Sequence, residues 1–232
     1  MDIQNSFAQT FNTPASILVR APGRVNLLGE HVDYNDGVVL PAAIDRAVRL
    51  AASPTQDGIV RLYAQDLDQQ VAFRLDALEQ RVDLDGAPLP HWAIYPAGVA
   101  WALREAGVQV RGMQAVYTSD VPIGAGLSSS AAVEVAFAAA WRALGGWEMD
   151  NLHLAQLCQR AENGYVGVNS GLMDQFASAC GVEGHTLYFD TRSLEWHPVA
   201  LPAGTAIIVA DSGMRRTLTT SGYNERRAAC EL

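Results

Sequence analysis

The sequence predicts an α+β fold, and three observations carry that expectation. Short β-branched runs fill the first half, an alanine-rich helical block follows, and strands return near the end. Strands grouped around a run of helices suit a mixed sheet covered by helices better than an alternating parallel fold. With 232 residues, 49% of them hydrophobic and 18% charged, the chain can bury a substantial core.

SILV (Ser16–Val19), GVVLPAAI, AVRLAA and GIVRLYAQ read as separate strands, divided by polar, Gly or Pro punctuation. QQVAFRLD alternates apolar and polar residues, as a half-buried strand does. WAIYPAGVAWALREAG predicts a helix stopping at Gly107, with Pro96 tolerable only near its first turn. GMQAVYTSD returns as a strand. Ala131 to Leu144 is nearly all strong helix former, and Gly145-Gly146 ends the run. Asp150 takes the N-cap position of the next helix, which runs towards Glu162. NSGLMDQFASACG turns into a third, short helix, after which HTLYFD, LEWHPVAL and TAIIVADS resume strands. YNERRAACEL reads as the opening of a further helix that reaches Leu232 with no cap, glycine or proline to close it.

Charge and composition narrow the function. The formal net charge of −9 argues against a nucleic-acid-binding surface. Cys158, Cys180 and Cys230 form no CxxC pair and no Cys/His zinc pattern, which suits reduced thiols. The N-terminus lacks a basic and apolar leader, and no apolar run approaches the ~20 residues that cross a bilayer. A cytoplasmic protein is expected, without a membrane or nucleic-acid partner; the oligomeric state is not legible.

The stretch VPIGAGLSSSAAVEVAF, Val121 to Phe137, joins a glycine-rich loop directly to a helical run. A P-loop would end in Gly-Lys-Ser/Thr, but the chain contains no lysine, so all 16 basic residues are arginine. Phosphate would have to be held by backbone N–H groups, arginine and metal. A helix N-terminus offers unpaired N–H groups and a partial positive charge, so it binds anions without lysine. Gly124 and Gly126 allow close backbone approach, and Ser128, Ser129 and Ser130 add hydroxyls. A glycine loop with a serine N-cap is also a common structural device, so other motifs must decide.

RAPGRVNLLGEHVDYNDG, Arg20 to Gly37, is the densest polar segment. Glu30, His31 and Asp33 fall within four residues and suit the vicinal hydroxyls of a sugar; a metal reading stays open, though adjacent residues diverge on either backbone and rarely converge on one ion. In AENGYVGVNSGLMDQF, Glu162 sits near the end of one helix and Asp174 at the start of the next. An acid there can be a mere cap, but a helix dipole and a nearby arginine would also keep Asp174 ionised as a base. SGYNERR places Tyr223 near two arginines.

APGRVNLLGEHVDYNDGVVLP, VPIGAGLSSSAAVEVA and GLMDQF together resemble galactokinase, within the GHMP small-molecule kinases; DTRSL and SGYNERRAAC extend the likeness from about Ile17 to Leu232. The resemblance implies Mg²⁺- and ATP-dependent phosphorylation of the anomeric hydroxyl of α-D-galactose. It implies Asp174 as base and Arg24 as the arginine that polarises it. Glu30, His31, Val32, Asp33, Gly171 and Tyr223 would line the sugar site. Gly124, Ala125, Gly126, Leu127, Ser128, Ser129 and Ser130 would hold the ATP phosphates, with Ser130 and Glu162 as magnesium ligands. Sequence alone does not separate Ser129 from Ser130 in that last role.

The family fold implied is a ribosomal-S5-domain-2-like N-terminal domain over residues 1–202, then the start of a ferredoxin-like C-terminal domain over 203–232. Val32 stands where the family usually has threonine, Gly222 where it has glutamate and Ser170 where it has cysteine. Family members continue for roughly another 150 residues, so the 232-residue chain alone is expected to be inactive or poorly stable. Two other functions share these motifs: a galactose- and ATP-binding regulator, whose non-catalytic members interrupt the Gly-Ser loop that is whole here, and a kinase for a related hexose such as N-acetylgalactosamine.

Overall fold

The computed structural model describes residues 2–213. Two sheets and five helices are built over them. The larger sheet has the order β1-β3-β6-β4-β5, from β1 (Ile17–Asn26), β3 (Pro41–Thr55), β4 (Ile59–Ala64), β5 (Gln69–Arg74) and β6 (Gly112–Ser119). All its ladders are antiparallel except β4 with β6. The smaller sheet, order β2-β7-β8, pairs β2 (Val38–Val39), β7 (His185–Asp190) and β8 (Trp196–Ala200). The mixed sheet with grouped helices matches the α+β expectation.

Alternation along the strands decides which layer each residue joins. Leu50, Ala52, Ala115 and Tyr117 face the main core, where α2 (His91–Glu105), α3 (Ser129–Gly145) and α4 (Asn151–Ala161) bury Phe137 and Trp141. Ala51 and Val116, paired across the ladder, face the opposite side and receive Ile3 and Phe7 of α1 (Ile3–Phe11). The sequence reading missed α1, whose buried anchors Ile3 and Phe7, four residues apart, are set among mostly polar neighbours. Asp2 caps it by accepting from the Gln4 N–H. A third cluster joins α5 (Met173–Cys180) to the small sheet, with Phe176 stacked on Phe189 at 4.0 Å between ring centroids.

Several boundaries differ from expectation. GVVLPAAI and AVRLAA are not two whole strands: Pro41 to Thr55 is one 15-residue strand, and only Val38–Val39 stands apart. SILV extends through Pro22 and Gly23 to Asn26, because β1 is an edge strand, where proline can be accommodated. Between Pro22 and Arg24 the chain advances two residues while β3 moves four, from Ala47 to Ala43. Such irregularities re-aim side chains, and Arg24 lies immediately after this one. Pro96 lies deeper in α2 than its first turn, buried within a helix that continues through it. TAIIVADS forms no strand among the described residues, and Ile208 is 91% exposed. The YNERRAACEL helix and Tyr223 lie outside the described residues.

Candidate active site

The site lies where β1, the glycine-rich loop, the start of α3 and the start of α5 meet. Gly23 sits so close to the loop that an added Cβ would stand 2.6 Å from the Leu127 carbonyl oxygen, and that oxygen accepts from the Arg24 N–H at 3.1 Å. This backbone weld sets the loop against β1. Gly124 and Gly126 adopt positive φ, 71° and 77°, which turns the loop back into α3.

Arg24 is the hub. Its Nε and Nη2 both lie 2.7 Å from Asp174 Oδ1, and its Nη1 donates to the Gly126 carbonyl at 2.7 Å. One guanidinium therefore ties the carboxylate to the loop in a rigid fork. Asp174 stands in the first turn of α5, which is anchored to β1 by Ser178 Oγ donating to the Pro22 carbonyl at 2.7 Å. Ser128 Oγ donates to the other oxygen, Asp174 Oδ2, also at 2.7 Å.

Asp33 approaches from the turn after β1. An added Cβ at Gly171 would fall 2.0 Å from Asp33 Oδ2, so only glycine leaves room for that carboxylate. Burial, and next the charge of Asp174, push the Asp33 carboxyl up to about 6, while backbone N–H groups and Arg24 oppose the shift. Glu30 and His31 are exposed on the same turn: Glu30 accepts from Asn26 Nδ2 at 2.9 Å, and His31 Nδ1 is 2.7 Å from the Tyr34 hydroxyl. Val32 turns its side chain towards the small hydrophobic cluster of α5.

Behind the loop lies a buried acidic layer. α4 ends in a single π-turn, Glu162–Val166, a distortion that often marks functional sites. Glu162 is buried and receives the Ser130 hydroxyl, the Ser170 hydroxyl, and Gln175 Nε2 at 2.8 Å. Burial, opposed by these donors, leaves its carboxyl raised from the usual range. Gln175 Nε2 also donates to Glu134 Oε2 at 3.0 Å, bridging the two acids. Glu134 is fully buried, and burial first, then the Glu162 charge, push its carboxyl well above the ordinary range. A hydroxyl and a buried carboxylate on facing elements are hard oxygen donors of the kind magnesium accepts, with substrate phosphates completing its shell. No cluster of three or more His, Cys, Asp or Glu forms a closed metal site among the described residues.

The structure thus gathers Arg24, Asp33, Gly171, Asp174, the loop from Gly124 to Ser130, and Glu162. Glu30 and His31 stay on the outer turn, on local partners. Sequence reasoning missed Gln175 and Glu134, and gave Ser170 no role beyond a departure from the family. One signal was present: Glu134 is a lone charge in an apolar run, four residues after Ser130 and hence on the same helical face.

The chain is similar to known proteins in sequence and in fold. The family model described as the galactokinase galactose-binding signature matches residues 5–54, and that of the GHMP kinases N terminal domain matches residues 95–182. The galactokinase of Roseiflexus sp. (strain RS-1) is 45% identical over 230 residues, which is 99% of this chain and 57% of that protein. That of Streptomyces coelicolor is 47% identical over 91% of this chain and 54% of its own length. The chain spans a little over half the length of the curated relatives it matches. Among solved structures, Lactococcus lactis galactokinase complexed with galactose superposes with a TM-score of 0.83 at 32% identity, over 97% of this chain and 58% of that one. A mevalonate kinase matches at 0.62 and 18% identity, a likeness of fold alone. No helix among the described residues is long and apolar enough to cross a membrane. In sequence and in fold, the chain corresponds to the N-terminal portion of a GHMP kinase of the galactokinase family.

Proposed function

We propose that this chain carries the sugar site and phosphate loop of an enzyme that transfers the γ-phosphoryl group of ATP to the anomeric hydroxyl of α-D-galactose, giving galactose 1-phosphate. The observation that carries it is Asp174, clamped by Arg24 beside the glycine-rich loop and facing Asp33. A base must lie next to both the sugar hydroxyl and the phosphate to be transferred, and this carboxylate has both neighbours.

Asp33, with Glu30 and His31 from the outer turn and Tyr223, orients the sugar. Gly171 leaves space for the Asp33 carboxylate and for a ring beside it. Asp174 takes the proton of the anomeric hydroxyl as the oxygen attacks, and Arg24 offsets the charge that gathers at the carboxylate and the transferring group. The N–H groups at the start of α3, with the Ser129 and Ser130 hydroxyls, receive the phosphates; positioning and charge neutralisation are most of what phosphoryl transfer needs. Ser130 and Glu162 would hold a magnesium ion, which supplies charge neutralisation at the phosphates when bound.

The test is a hexose screen with ATP, reading ADP release, on the protein that carries this segment. Galactose-dependent release well above that with glucose or N-acetylgalactosamine is the expected result. Equal release with every sugar, or none with galactose, would remove the reading.

A further inference from the structure

We infer that Ser128, placed at the start of the phosphate loop's helix, is a positioning residue for the base Asp174, and that it leaves one defined acceptor site on that carboxylate for the sugar proton. The inference deepens the function proposed above and rests on it for the identity of the proton donor.

Two independent observations support it. The first is occupancy. An ionised carboxylate offers about four lone-pair positions. Among the described residues, Arg24 donates to Oδ1 through Nε and brings Nη2 within 2.7 Å of the same oxygen, and Ser128 takes one position on Oδ2. One position on Oδ2 remains, on the oxygen the guanidinium does not hold. Proton transfer from a sugar hydroxyl is thereby directed to a single oxygen, whose orientation is set from both sides.

The second is what Ser128 does not do. It is the N-cap residue of α3, where a serine ordinarily accepts a hydrogen bond from its own helix. Here it makes no side-chain cap bond, and its backbone sits in the left-handed region at φ 57° and ψ 48°. That conformation disfavours any residue with a Cβ. The hydroxyl is turned away from the helix and reaches Asp174, 46 residues along the chain. The first-turn N–H groups are thus not capped by Ser128, which suits an anion there, while the serine joins the phosphate loop to the base.

The test compares Ser128→Ala and Ser128→Gly with the parent in the active protein. Glycine removes the hydroxyl and relieves the left-handed strain, so its thermal midpoint should equal or exceed the parent's. We expect kcat for sugar-dependent ADP release to fall about 10- to 100-fold in both variants, the usual scale of one hydrogen bond to a charged group. The KM for ATP should stay within about threefold of the parent's. A raised KM for ATP with unchanged kcat would make Ser128 a phosphate ligand instead and overturn the inference, as would a glycine variant with normal kcat. A readout without turnover runs alongside: the side-chain carboxyl ¹³C resonance of Asp174, assigned with Asp174→Asn, should move in Ser128→Gly. If it does not, the link is absent, whatever the kinetics. If the parent phosphorylates no hexose, the proposed function fails while this resonance still decides whether Ser128 holds Asp174.

Discussion

Arg24 and Asp174 lie 150 positions apart in the chain, and two guanidinium nitrogens of the one sit 2.7 Å from a single carboxylate oxygen of the other. The arginine side chain is 14% exposed and the aspartate 28%, so the pair is only partly screened by water. Its third nitrogen holds the loop at Gly126. The Asp174 carboxylate, the Arg24 guanidinium and the glycine-rich loop are therefore tied together.

Replacing Asp174 by Asn keeps the shape and removes the proton acceptor. Turnover should fall by about 10²–10⁴-fold, the range of general-base contributions, while ATP affinity changes little. Steady-state ADP release and a fluorescent-nucleotide titration check the two halves. A variant within a few-fold of the parent would exclude Asp174 as the base.

Gly171→Ala tests the sugar side. Its methyl group would occupy the position of the Asp33 carboxylate, 2.0 Å from Oδ2, so the acid must move. We expect loss of measurable galactose binding by calorimetry and about 1–3 kcal/mol of destabilisation from overpacking. Unchanged galactose affinity would show that Asp33 does not need this place.

Asp33 also predicts a pH dependence. Its carboxyl is pushed up to about 6 in the folded protein from an ordinary 3.8, by burial first and Asp174 second. The folded state thus binds the proton more tightly than the unfolded chain. The stability this gives is complete below the unfolded value and is lost as pH rises through about 6. Asp33→Asn cannot ionise, so its thermal midpoint should exceed the parent's at about pH 7.5 by more than at about pH 4. Parallel midpoint curves across that window would refute the assignment.

Glu134 separates a neutral acid from a charged one. It is buried and its carboxyl is pushed well above the ordinary range, so we expect a neutral acid that resembles glutamine in shape and charge. Glu134→Gln should leave the denaturation midpoint close to the parent's. Glu134→Ala should cost about 2–4 kcal/mol, because it opens a cavity and strips Gln175 of a partner. A glutamine variant as unstable as the alanine one would show that the charge is needed.

Much of this was legible along the chain. The Asp150 N-cap, realised by its bond to the His153 N–H, and the Gly146 stop at φ 66° follow from local rules, because caps and left-handed glycines are one-residue devices. The motifs around Arg24, Gly124 to Ser130 and Asp174 likewise marked segments that the fold brings together. Strand limits were less legible, since whether Pro22 and Gly23 continue β1 depends on β3 lying beside them. TAIIVADS, apolar and β-branched in sequence, forms no strand among the described residues, so propensity alone did not decide it.

The sequence by itself determined most of the element types, the missing lysine that rules out a P-loop, and the identity of the acids and arginine. Only the tertiary structure decided how they are used. It turned Ser128 from a helix cap to the base, set Gly171 against Asp33, and buried Glu134 and Gln175 beside Glu162. These pairs join residues from different elements, and hydrogen bonding and desolvation depend on distances of a few ångströms in space, which no spacing along the chain records.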